Sequence, residues 1–330
     1  MLRLSQRLLV TAALTMAASG AAIADDIVIG FAQASSNSAH RNTMTKRNVQ
    51  YAADNFKDTK LIVTNAEGKS AKQISDVESL MVQGMKVLMI SAQDGAAIAP
   101  TIKDIMSKGV KVVTLERSLS VPVTLHVGPH NKPIGMLAGK FIVDKLGGKG
   151  NVVEIKGGPA VAPAVERHDG FAEAIAGSQI KVIAETHADW DLEKALKFME
   201  DTLHRFPAGQ IQAVYTHNDN MAFGALKAIQ AAGRDKEGIL IIGIDGENRA
   251  IRAVDKGELT ATFTYSTVAP EGVIAAHALA TGDMAALDKL GKSSKMADGT
   301  MEIEIASQMI TKDNAKDFFC KGFGDDPECK

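Results

Sequence analysis

The sequence contains few of the residues on which metal sites and redox chemistry most often depend. Its 330 residues include two cysteines, one tryptophan and three tyrosines. Both cysteines, Cys320 and Cys329, lie in the C-terminal tail without further cysteine or histidine beside them, which disfavours a zinc site. The eight histidines are scattered without metal-ligand spacing. In an oxidising compartment the two cysteines favour a local disulfide that would pin the tail.

The common catalytic motifs are also missing. The sequence has no G-x-S-x-G, H-E-x-x-H, C-x-x-C or G-x-x-x-x-G-K-[ST] motif. The first apolar run, Ile27 to Ala32, is followed by a serine-rich corner instead of G-x-G-x-x-G, which disfavours a dinucleotide site. The glycines of residues 147–150 follow a helical pattern, so they are interpreted as a helix stop. We therefore expect no catalytic residues, no metal and no cofactor.

Charge of one sign is not in excess, and long hydrophobic runs are confined to the N-terminus. The chain has 37 basic and 39 acidic residues, a net charge of −2 at pH 7. This balance gives no reason to expect nucleic acid or an anionic membrane surface as a partner. No apolar run beyond the N-terminus approaches the ~20 residues that a membrane-spanning helix requires.

Residues 1–24 are expected to be a secretory signal peptide. Arg3 and Arg7 precede the apolar stretch Leu8 to Ala18, and the small residues Ala22 and Ala24 fit a cleavage site after Ala24. A membrane anchor is the alternative, but the apolar stretch is too short for it. A cleaved signal peptide implies export, with the bacterial periplasm as the expected location.

From Ile27 onward, short apolar runs alternate with helical patterns about ten times. Such alternation indicates βαβ units, whose right-handed crossovers build parallel sheets covered by helices on both faces. These units are too many for one small domain, so we expect two; a (β/α)8 barrel is the competing architecture. The best positions for the chain to cross between two domains are Val127-Gly128 and Thr264-Tyr265.

Polar side chains collect where predicted strands end and helices begin, which is the usual ligand edge of an open α/β sheet. The clearest such corner, His217-Asn218-Asp219, joins an apolar run to an amphipathic helix. Asn218 is assigned to the ligand and Asp219 to capping of the helix, while His217 receives no role.

Further corners supply Glu116-Arg117, Arg167, Trp190 and Asp245. An arginine fork and a carboxylate offer the donors and acceptors that neighbouring sugar hydroxyls need. The flat face of Trp190 could pack on the apolar face of a sugar ring. The alternatives are a surface ion pair for Glu116 and Arg117, and a core position for Trp190.

At these corners the sequence resembles the ribose-binding family of periplasmic sugar-binding proteins, the type I class of ABC importers. The resemblance extends from Ile27 to about Ile305 and is most specific at residues 113–117, 164–171, 188–190, 217–226 and 243–246. It implies an α/β fold of two doubly wound parallel-sheet lobes joined by a three-strand hinge. The N-terminal lobe would comprise residues 25–127 and about 265–300, the C-terminal lobe 128–264 and about 301–310, and the tail 311–330.

The resemblance implies a ligand site between the lobes and no enzymatic activity. Compared with ribose binders, His40 and Arg41 replace the usual first-corner residues, and Glu116 replaces an aspartate. Arg41 fits the galactofuranose binders, so ribose is disfavoured while a pentose, hexose, furanose or polyol remains expected. Tyr265 falls at the hinge. The residues carried over to the ligand are His40, Arg41, Glu116, Arg117, Arg167, Trp190, Asn218, Asp245 and Tyr265.

The resemblance also implies partners. A monomer is expected to deliver its small carbohydrate to an inner-membrane ABC permease, and a role with a chemoreceptor could coexist with transport. One rival is a secreted sugar-acting enzyme on an α/β scaffold, which turnover of glycosides would support. A second rival is the effector domain of a lactose-repressor-like regulator, which needs an N-terminal helix-turn-helix where this chain has a predicted signal peptide.

Overall fold

The computed structural model describes residues 27–324, together with residues 326 and 329. The predicted signal peptide, residues 1–24, and its cleavage site after Ala24 lie outside the described residues. Within the described part of the chain, no helix is both long enough and apolar enough to cross a membrane.

Strands and helices alternate through the chain, as the apolar runs predict. The strands are β1 (Ile27–Gln33), β2 (Thr59–Asn65), β3 (Val87–Ile90), β4 (Lys111–Leu115), β5 (Leu125–Gly128), β6 (Lys149–Lys156), β7 (Gln179–His187), β8 (Ala213–Thr216), β9 (Leu240–Ile242), β10 (Ala261–Phe263), β11 (Ser293–Lys295), β12 (Met301–Glu304) and β13 (Met309–Thr311). The helices are α1 (Ala39–Asn55), α2 (Ser70–Val82), α3 (Gly95–Ser107), α4 (Asn131–Lys145), α5 (Ala162–Ile175), α6 (Leu192–Arg205), α7 (Asp219–Ala231), α8 (Asn248–Lys256), α9 (Glu271–Thr281) and α10 (Met284–Asp288). Short 3-10 helices span Asp235–Glu237 and Ala315–Phe318.

The strands form two separate sheets. The first has the order β11-β12-β5-β4-β3-β1-β2 and the second the order β13-β10-β9-β8-β6-β7. The outermost strands β11 and β13 run antiparallel to their neighbours, and the other pairs are parallel. We call each sheet with its helices the first and the second lobe. Two open sheets confirm the predicted fold class and exclude the barrel.

The central strands of each sheet are buried on both faces, which explains why they are apolar along most of their length, whereas the edge strands β7 and β11 carry exposed polar residues. In β3, Val87 and Met89 join one hydrophobic cluster of the first lobe, whereas Leu88 and Ile90 join the other. The second lobe likewise has one cluster on each side of its sheet. The polar residues that follow the central strands therefore extend from a rigid scaffold that is covered on both faces.

The chain passes between the lobes three times, after β5, after β10 and after β12. The sequence assigns residues 301–310 to the second lobe, and for β12 this prediction is wrong. Strand β12 pairs in parallel with β5 of the first sheet, and only β13 joins the second sheet, beside β10. The buried side chain of Ile303 packs into the first-lobe core. A strand this short carries no pattern that distinguishes one sheet edge from another.

The C-terminal tail follows β13 along the second lobe. Its 3-10 helix, Ala315–Phe318, packs on α8 and β13. Cys320 and Cys329 form a disulfide, which confirms the predicted pairing.

Helices α4 and α5 of the second lobe lie so close that their backbones are in contact. A Cβ atom at Gly135 would lie 2.1 Å from the carbonyl oxygen of Arg167, and one at Gly170 would lie 2.1 Å from that of Lys132. Only glycine fits at these two points. The contact therefore fixes α5, and Arg167 with it, relative to the rest of the lobe.

We expect Gly170→Ala to lower the free energy of unfolding by about 1–3 kcal/mol, because the added methyl group overlaps the Lys132 carbonyl and forces the helices apart. Ala172→Ser, at an exposed position of the same helix, is the matched control and should change it by less than about 0.5 kcal/mol. Urea unfolding followed by circular dichroism measures both. Equal stabilities of Gly170→Ala and the unmodified protein would contradict a rigid α4–α5 contact.

Candidate functional site

One cavity of about 350 Å³ lies between the two lobes, at the carboxyl ends of the parallel strands. Both lobes contribute polar side chains to its wall, and the segment that follows β10 adds Tyr265. The structure brings all the sequence-predicted ligand residues to this cavity: His40, Arg41, Glu116, Arg117, Arg167, Trp190, Asn218, Asp245 and Tyr265.

The carboxylate of Glu116 organises the first-lobe wall. It accepts hydrogen bonds from Ser91 Oγ at 2.7 Å and from the Tyr265 hydroxyl at 3.1 Å, and Arg41 Nη1 lies 2.7 Å from Oε1. Burial alone would raise the pKa of Glu116, but Arg41 and Arg117 outweigh it and lower the pKa to about 2. Glu116 is therefore ionised at neutral pH. The surface ion pair considered for Glu116 and Arg117 is wrong, because both side chains are buried.

The backbone at Glu116 is unusual in a way that places the side chain in the cavity wall. Its φ is +54°, the left-handed region that non-glycine residues seldom adopt. Gly128, at the end of β5, lies directly against it: a Cβ atom there would be 2.7 Å from the Glu116 Cα. The first crossing between the lobes and the corner after β4 are therefore packed together, and glycine is required at the contact.

Arg117 lines the cavity and is held by a backbone carbonyl and an ion pair. Its Nη1 donates to the Ala92 carbonyl at 2.7 Å. Its Nε lies 3.3 Å from Glu116 Oε1 but is buried and, among the residues that the structure describes, has no hydrogen-bond partner. Burial and the neighbouring Arg41 lower the pKa of Arg117 to about 9. A buried N–H group without a hydrogen-bond partner is costly, and the adjacent Glu116 carboxylate offsets part of that cost.

His40 is a neutral member of the same wall. Its Nε2 lies 3.1 Å from the carbonyl oxygen of Ser266, which accepts only, so Nε2 carries the proton. Burial, and next Arg41, lower the pKa of His40 to about 3. At neutral pH the other ring nitrogen, Nδ1, therefore has a lone pair and acts only as an acceptor.

Arg167 dominates the second-lobe wall and lies within α5. Its Nε donates to Asn131 Oδ1 at 3.0 Å, and its Nη1 donates to the His217 carbonyl oxygen. The guanidinium also lies over the Tyr265 ring, 4.4 Å from its centroid, and 5.7 Å from that of Trp190. These contacts hold a nearly fully buried cation at the cavity, and within the described part of the chain no carboxylate is hydrogen-bonded to it.

Asp245, three residues after the end of β9, supplies a further carboxylate of the cavity. Burial raises the pKa of Asp245 well above its usual value, and Arg167 opposes this shift. Within residues 27–324 its side-chain oxygens accept no hydrogen bond, although its backbone N–H donates to the Phe263 carbonyl at 2.9 Å. The carboxylate is held in place by its backbone while its acceptor capacity stays unused.

Trp190 is half-buried and combines the two roles considered for it. It lines the cavity and also packs against the second-lobe core. Its φ is +66°, and its ring fits only because residue 157 is glycine: a Cβ atom there would lie 2.1 Å from Trp190 Cζ2. The rigid turn before α6 therefore presents the ring to the cavity.

The opening corner of α7 differs from the sequence prediction in one respect. Asn218 is the N-cap, and its Oδ1 accepts from the Met221 N–H at 2.9 Å while the residue also lines the cavity. Asp219 does not cap the helix; its carboxylate accepts from the Glu247 N–H at 2.9 Å and from Thr262 Oγ1 at 2.6 Å. Asparagine and aspartate are both good N-caps, so the residue at which β8 ends decides which of the two becomes the N-cap of α7.

Some supporting residues were missed by the sequence analysis, although the strand-end pattern could have indicated them. Ser91 directly follows β3, and Asn131 begins α4 after the first crossing; they orient Arg41 and Arg167 respectively. His217 also acquires a role. Its ring is buried and donates to Glu154 at 3.0 Å, which leaves its backbone carbonyl fixed beneath Arg167.

One group of described residues has metal-ligand chemistry. Ligand atoms of Glu154, His168 and Glu185 lie within 4.8 Å of one another, outside the cavity. However, Lys156 Nζ lies 3.0 Å from the Glu185 carboxylate, and His168 Nδ1 lies 3.0 Å from that of Glu154. Because each carboxylate already has a nitrogen donor beside it, we assign no metal to this group.

We expect the free energy of unfolding to decrease as pH falls, in part because His40 is neutral in the folded protein. Its folded-state pKa of about 3 lies below its ordinary value of 6.5, so protonation favours the unfolded chain and stability is lost as pH falls below 6.5. Between pH 6.5 and 5 this group should cost about 2 kcal/mol of unfolding free energy. His40→Gln should remove that part of the loss, whereas His204→Gln, at an exposed position, should not. Urea titrations at both pH values measure the difference, and identical losses in all three proteins would contradict it.

Comparison with known proteins identifies the family. Residues 29–284 match the family model described as a periplasmic binding protein domain. The chain is 40% identical over 204 residues to the ribose import binding protein of Bacillus subtilis, a match that covers 62% of this chain and 65% of that protein. It is 31% identical over 325 residues to the galactofuranose-binding protein of Escherichia coli, covering 94% of this chain and 96% of that protein.

The solved structures agree with these matches. A solute-binding protein of an ABC transporter from Mycobacterium smegmatis, solved with bound glycerol, superposes with a TM-score of 0.78 and 27% sequence identity. The superposition covers 91% of this chain and 98% of that one. The family match extends through both lobes and includes most of the residues around the cavity. This chain belongs to the periplasmic binding protein domain family.

Proposed function

We propose that this protein is the solute-binding component of an ABC carbohydrate importer, and that it holds one small carbohydrate in the cavity between its lobes. A single observation carries the proposal. Side chains that bind hydroxyl groups converge on one cavity from both lobes, next to an aromatic ring. Relatives with this family's fold are named as binding proteins for ribose, galactofuranose and allose.

The polar groups of the cavity match a polyhydroxy ligand. Each hydroxyl of such a ligand can donate one hydrogen bond and accept up to two. The guanidinium of Arg117 offers donors, and the Asp245 carboxylate and His40 Nδ1 offer acceptors. A ligand that lacks one matched hydroxyl would leave a buried group unpaired and bind more weakly. The Trp190 ring would contribute an apolar surface for the C–H face of the ligand.

The cavity size favours one small molecule. Ligand pockets for drug-sized molecules typically range from about 300 to 1,000 Å³, and this one, at about 350 Å³, lies near the lower limit. A monosaccharide or a related polyol fits this description better than an oligosaccharide does. Arg41 and Glu116 both differ from the residues typical of ribose binders, which supports a furanose sugar or another monosaccharide over ribose.

The proposed mechanism is reversible capture, with no bond made or broken. The two lobes would close around the carbohydrate by movement at the three crossings, and the liganded protein would then engage an inner-membrane permease. We further propose that residues 1–24 direct export to the periplasm. A monomeric state and a chemoreceptor partner stay predictions from the resemblance.

A thermal-shift screen against pentoses, hexoses, furanose sugars and polyols tests the carbohydrate class. A carbohydrate that binds only the folded protein should raise its unfolding free energy by about 2.7 kcal/mol at a 100-fold excess over its Kd. Fluorescence of Trp190, the single tryptophan, should change with the same molecule. An amino-acid panel serves as the control and should have no effect. If no carbohydrate stabilises the protein, the proposed function is wrong.

Two aspartates near the cavity provide a matched test of which carboxylate binds the ligand. Asp245→Asn should weaken carbohydrate binding by at least about tenfold, because it replaces one of two unused carboxylate oxygen acceptors with an amide donor. Its stability should be unchanged or higher, because a buried carboxylate without donors is unfavourable. Asp219→Asn should behave in the opposite way: it loses hydrogen bonds within the fold and about 1–3 kcal/mol of stability, with little change in Kd.

Calorimetric titration and urea unfolding measure these two effects separately. Unchanged affinity in Asp245→Asn would remove Asp245 from the ligand site. If Asp219→Asn kept its stability but lost much of its affinity, Asp219 and not Asp245 would be the carboxylate that binds the ligand.

A further inference from the structure

The C-terminal tail runs from the second lobe to a residue of the ligand cavity in the first lobe. After the 3-10 helix Ala315–Phe318, the chain passes Cys320 and reaches Phe323, which is only 4% exposed. Nothing in the proposed transport function assigns a role to this segment. We call residues 320–324 the tail strap.

The tail strap is firmly attached to the second lobe next to Asp245. The Phe323 carbonyl accepts from the Asn248 N–H at 2.9 Å, and the Gly324 carbonyl accepts from Asn248 Nδ2 at 3.2 Å. Gly322 fits against the lobe so closely that a Cβ atom there would lie 2.2 Å from the Gly246 carbonyl oxygen. These contacts fix the tail strap against the loop after β9, which carries the cavity residue Asp245.

The disulfide and one arginine close the strap into a loop. Cys320 is bonded to Cys329, and Arg252 of α8 donates to Asp326 within the enclosed segment. Because these are the only two cysteines of the sequence, a reductant would open this bond and no other. A closed loop restricts the conformations of the segment that carries Phe323.

The far side of the strap contacts the first lobe at His40. The Phe323 and His40 rings meet edge to face, with centroids 5.2 Å apart, in the geometry that aromatic pairs prefer. The opposite contacts of His40 are the Tyr265 ring, with centroids 5.5 Å apart, and the Ser266 carbonyl. His40 is therefore held between the segment after β10 and the tail strap, and Phe323 spans from one lobe to the other.

We propose that Phe323, held in place by the Cys320–Cys329 loop, is a positioning residue for His40, so that the C-terminal disulfide sets the affinity of the cavity for its carbohydrate. The inference rests on the proposed function for its effect on binding. Phe323 itself does not line the carbohydrate cavity. It acts by fixing the His40 ring beside Tyr265 and the Ser266 carbonyl, and by joining the two lobes.

The consequence is expected mainly in the rate of ligand release. Loss of the ring contact should weaken binding of a carbohydrate by roughly threefold to tenfold, the range that an aromatic pair supports. Because the contact joins the two lobes in this structure, the dissociation rate should rise while the association rate changes little.

The experiment compares Phe323→Ala with Phe323→Tyr and with Phe319→Ala. Phe319 lies in the same tail but packs on Arg252 of the second lobe, at 4.8 Å, so Phe319→Ala controls for general loosening of the tail. Stopped-flow binding of D-galactose and of D-ribose, followed by Trp190 fluorescence, gives the rates. Phe323→Ala should release sugar faster, Phe323→Tyr should restore release to the original rate, and Phe319→Ala should leave it unchanged.

A second measurement needs no ligand. The His40 ring resonance in a proton–carbon NMR spectrum, identified by its loss in His40→Gln, should move in Phe323→Ala and return in Phe323→Tyr. It should also move when the disulfide of the unmodified protein is reduced, which keeps the test valid even if Phe323→Ala does not fold. Identical His40 resonances before and after reduction would overturn the positioning role.

The two arms distinguish this inference from the proposed function. If neither sugar binds the unmodified protein while the His40 resonance responds as expected, Phe323 positions His40 and the cavity takes neither D-galactose nor D-ribose; only the failure of the whole carbohydrate panel in the thermal-shift screen would overturn the proposed function. If the sugars bind and all three tail variants release them at the same rate, the disulfide does not set affinity and the inference fails alone.

Discussion

The structure depends on an ionised carboxylate buried at the junction of the two lobes. Glu116 could not remain charged there without the guanidinium of Arg41 and the hydroxyl donors of Ser91 and Tyr265 around it. Those partners come from α1, from the end of β3 and from the segment after β10, which are far apart in sequence. The carboxylate of Glu116 therefore holds these three elements in one arrangement. Together they form the first-lobe wall of the cavity.

The two walls of the cavity are built on different physical principles. In the first lobe a charge network is largely complete, so its groups are rigid before any ligand arrives. In the second lobe Arg167 is held by neutral acceptors, Asn131 and a backbone carbonyl, and the Asp245 carboxylate keeps its acceptor capacity. A preorganised wall facing a partly unsatisfied one is well suited to reversible binding, because the ligand supplies only the contacts that are missing.

The sequence was sufficient for the α/β class and for placing Glu116, Asn218 and Asp245 at one edge of the sheets, because these follow from strand ends in a parallel sheet, whereas His40, Arg41 and Tyr265 came from the family resemblance. It was insufficient where two residues could serve equally well as a helix cap, or where a strand could join either of two sheet edges. Asn218 and Asp219 are both good helix caps, and their roles depend on where β8 stops and on the distant partners of Asp219, Glu247 and Thr262. Strand β12 was assigned to the wrong sheet because four residues contain no information about which edge is vacant. The supporting contacts of Ser91 and Asn131 depend on three-dimensional neighbours in the same way.

The return of the chain to the first lobe has a consequence for its biosynthesis. Helix α9 and strand β12 complete the core that begins with Ile29 and Phe31, through Val273, Ala276 and Ile303. The first lobe therefore cannot close its core until the ribosome has made almost the whole chain, and its native contacts join residues more than two hundred positions apart. High contact order of this kind slows folding. Strands β6 to β10 of the second lobe are consecutive in the chain and can begin to pack earlier, so the first lobe is the part of this protein that completes its core last.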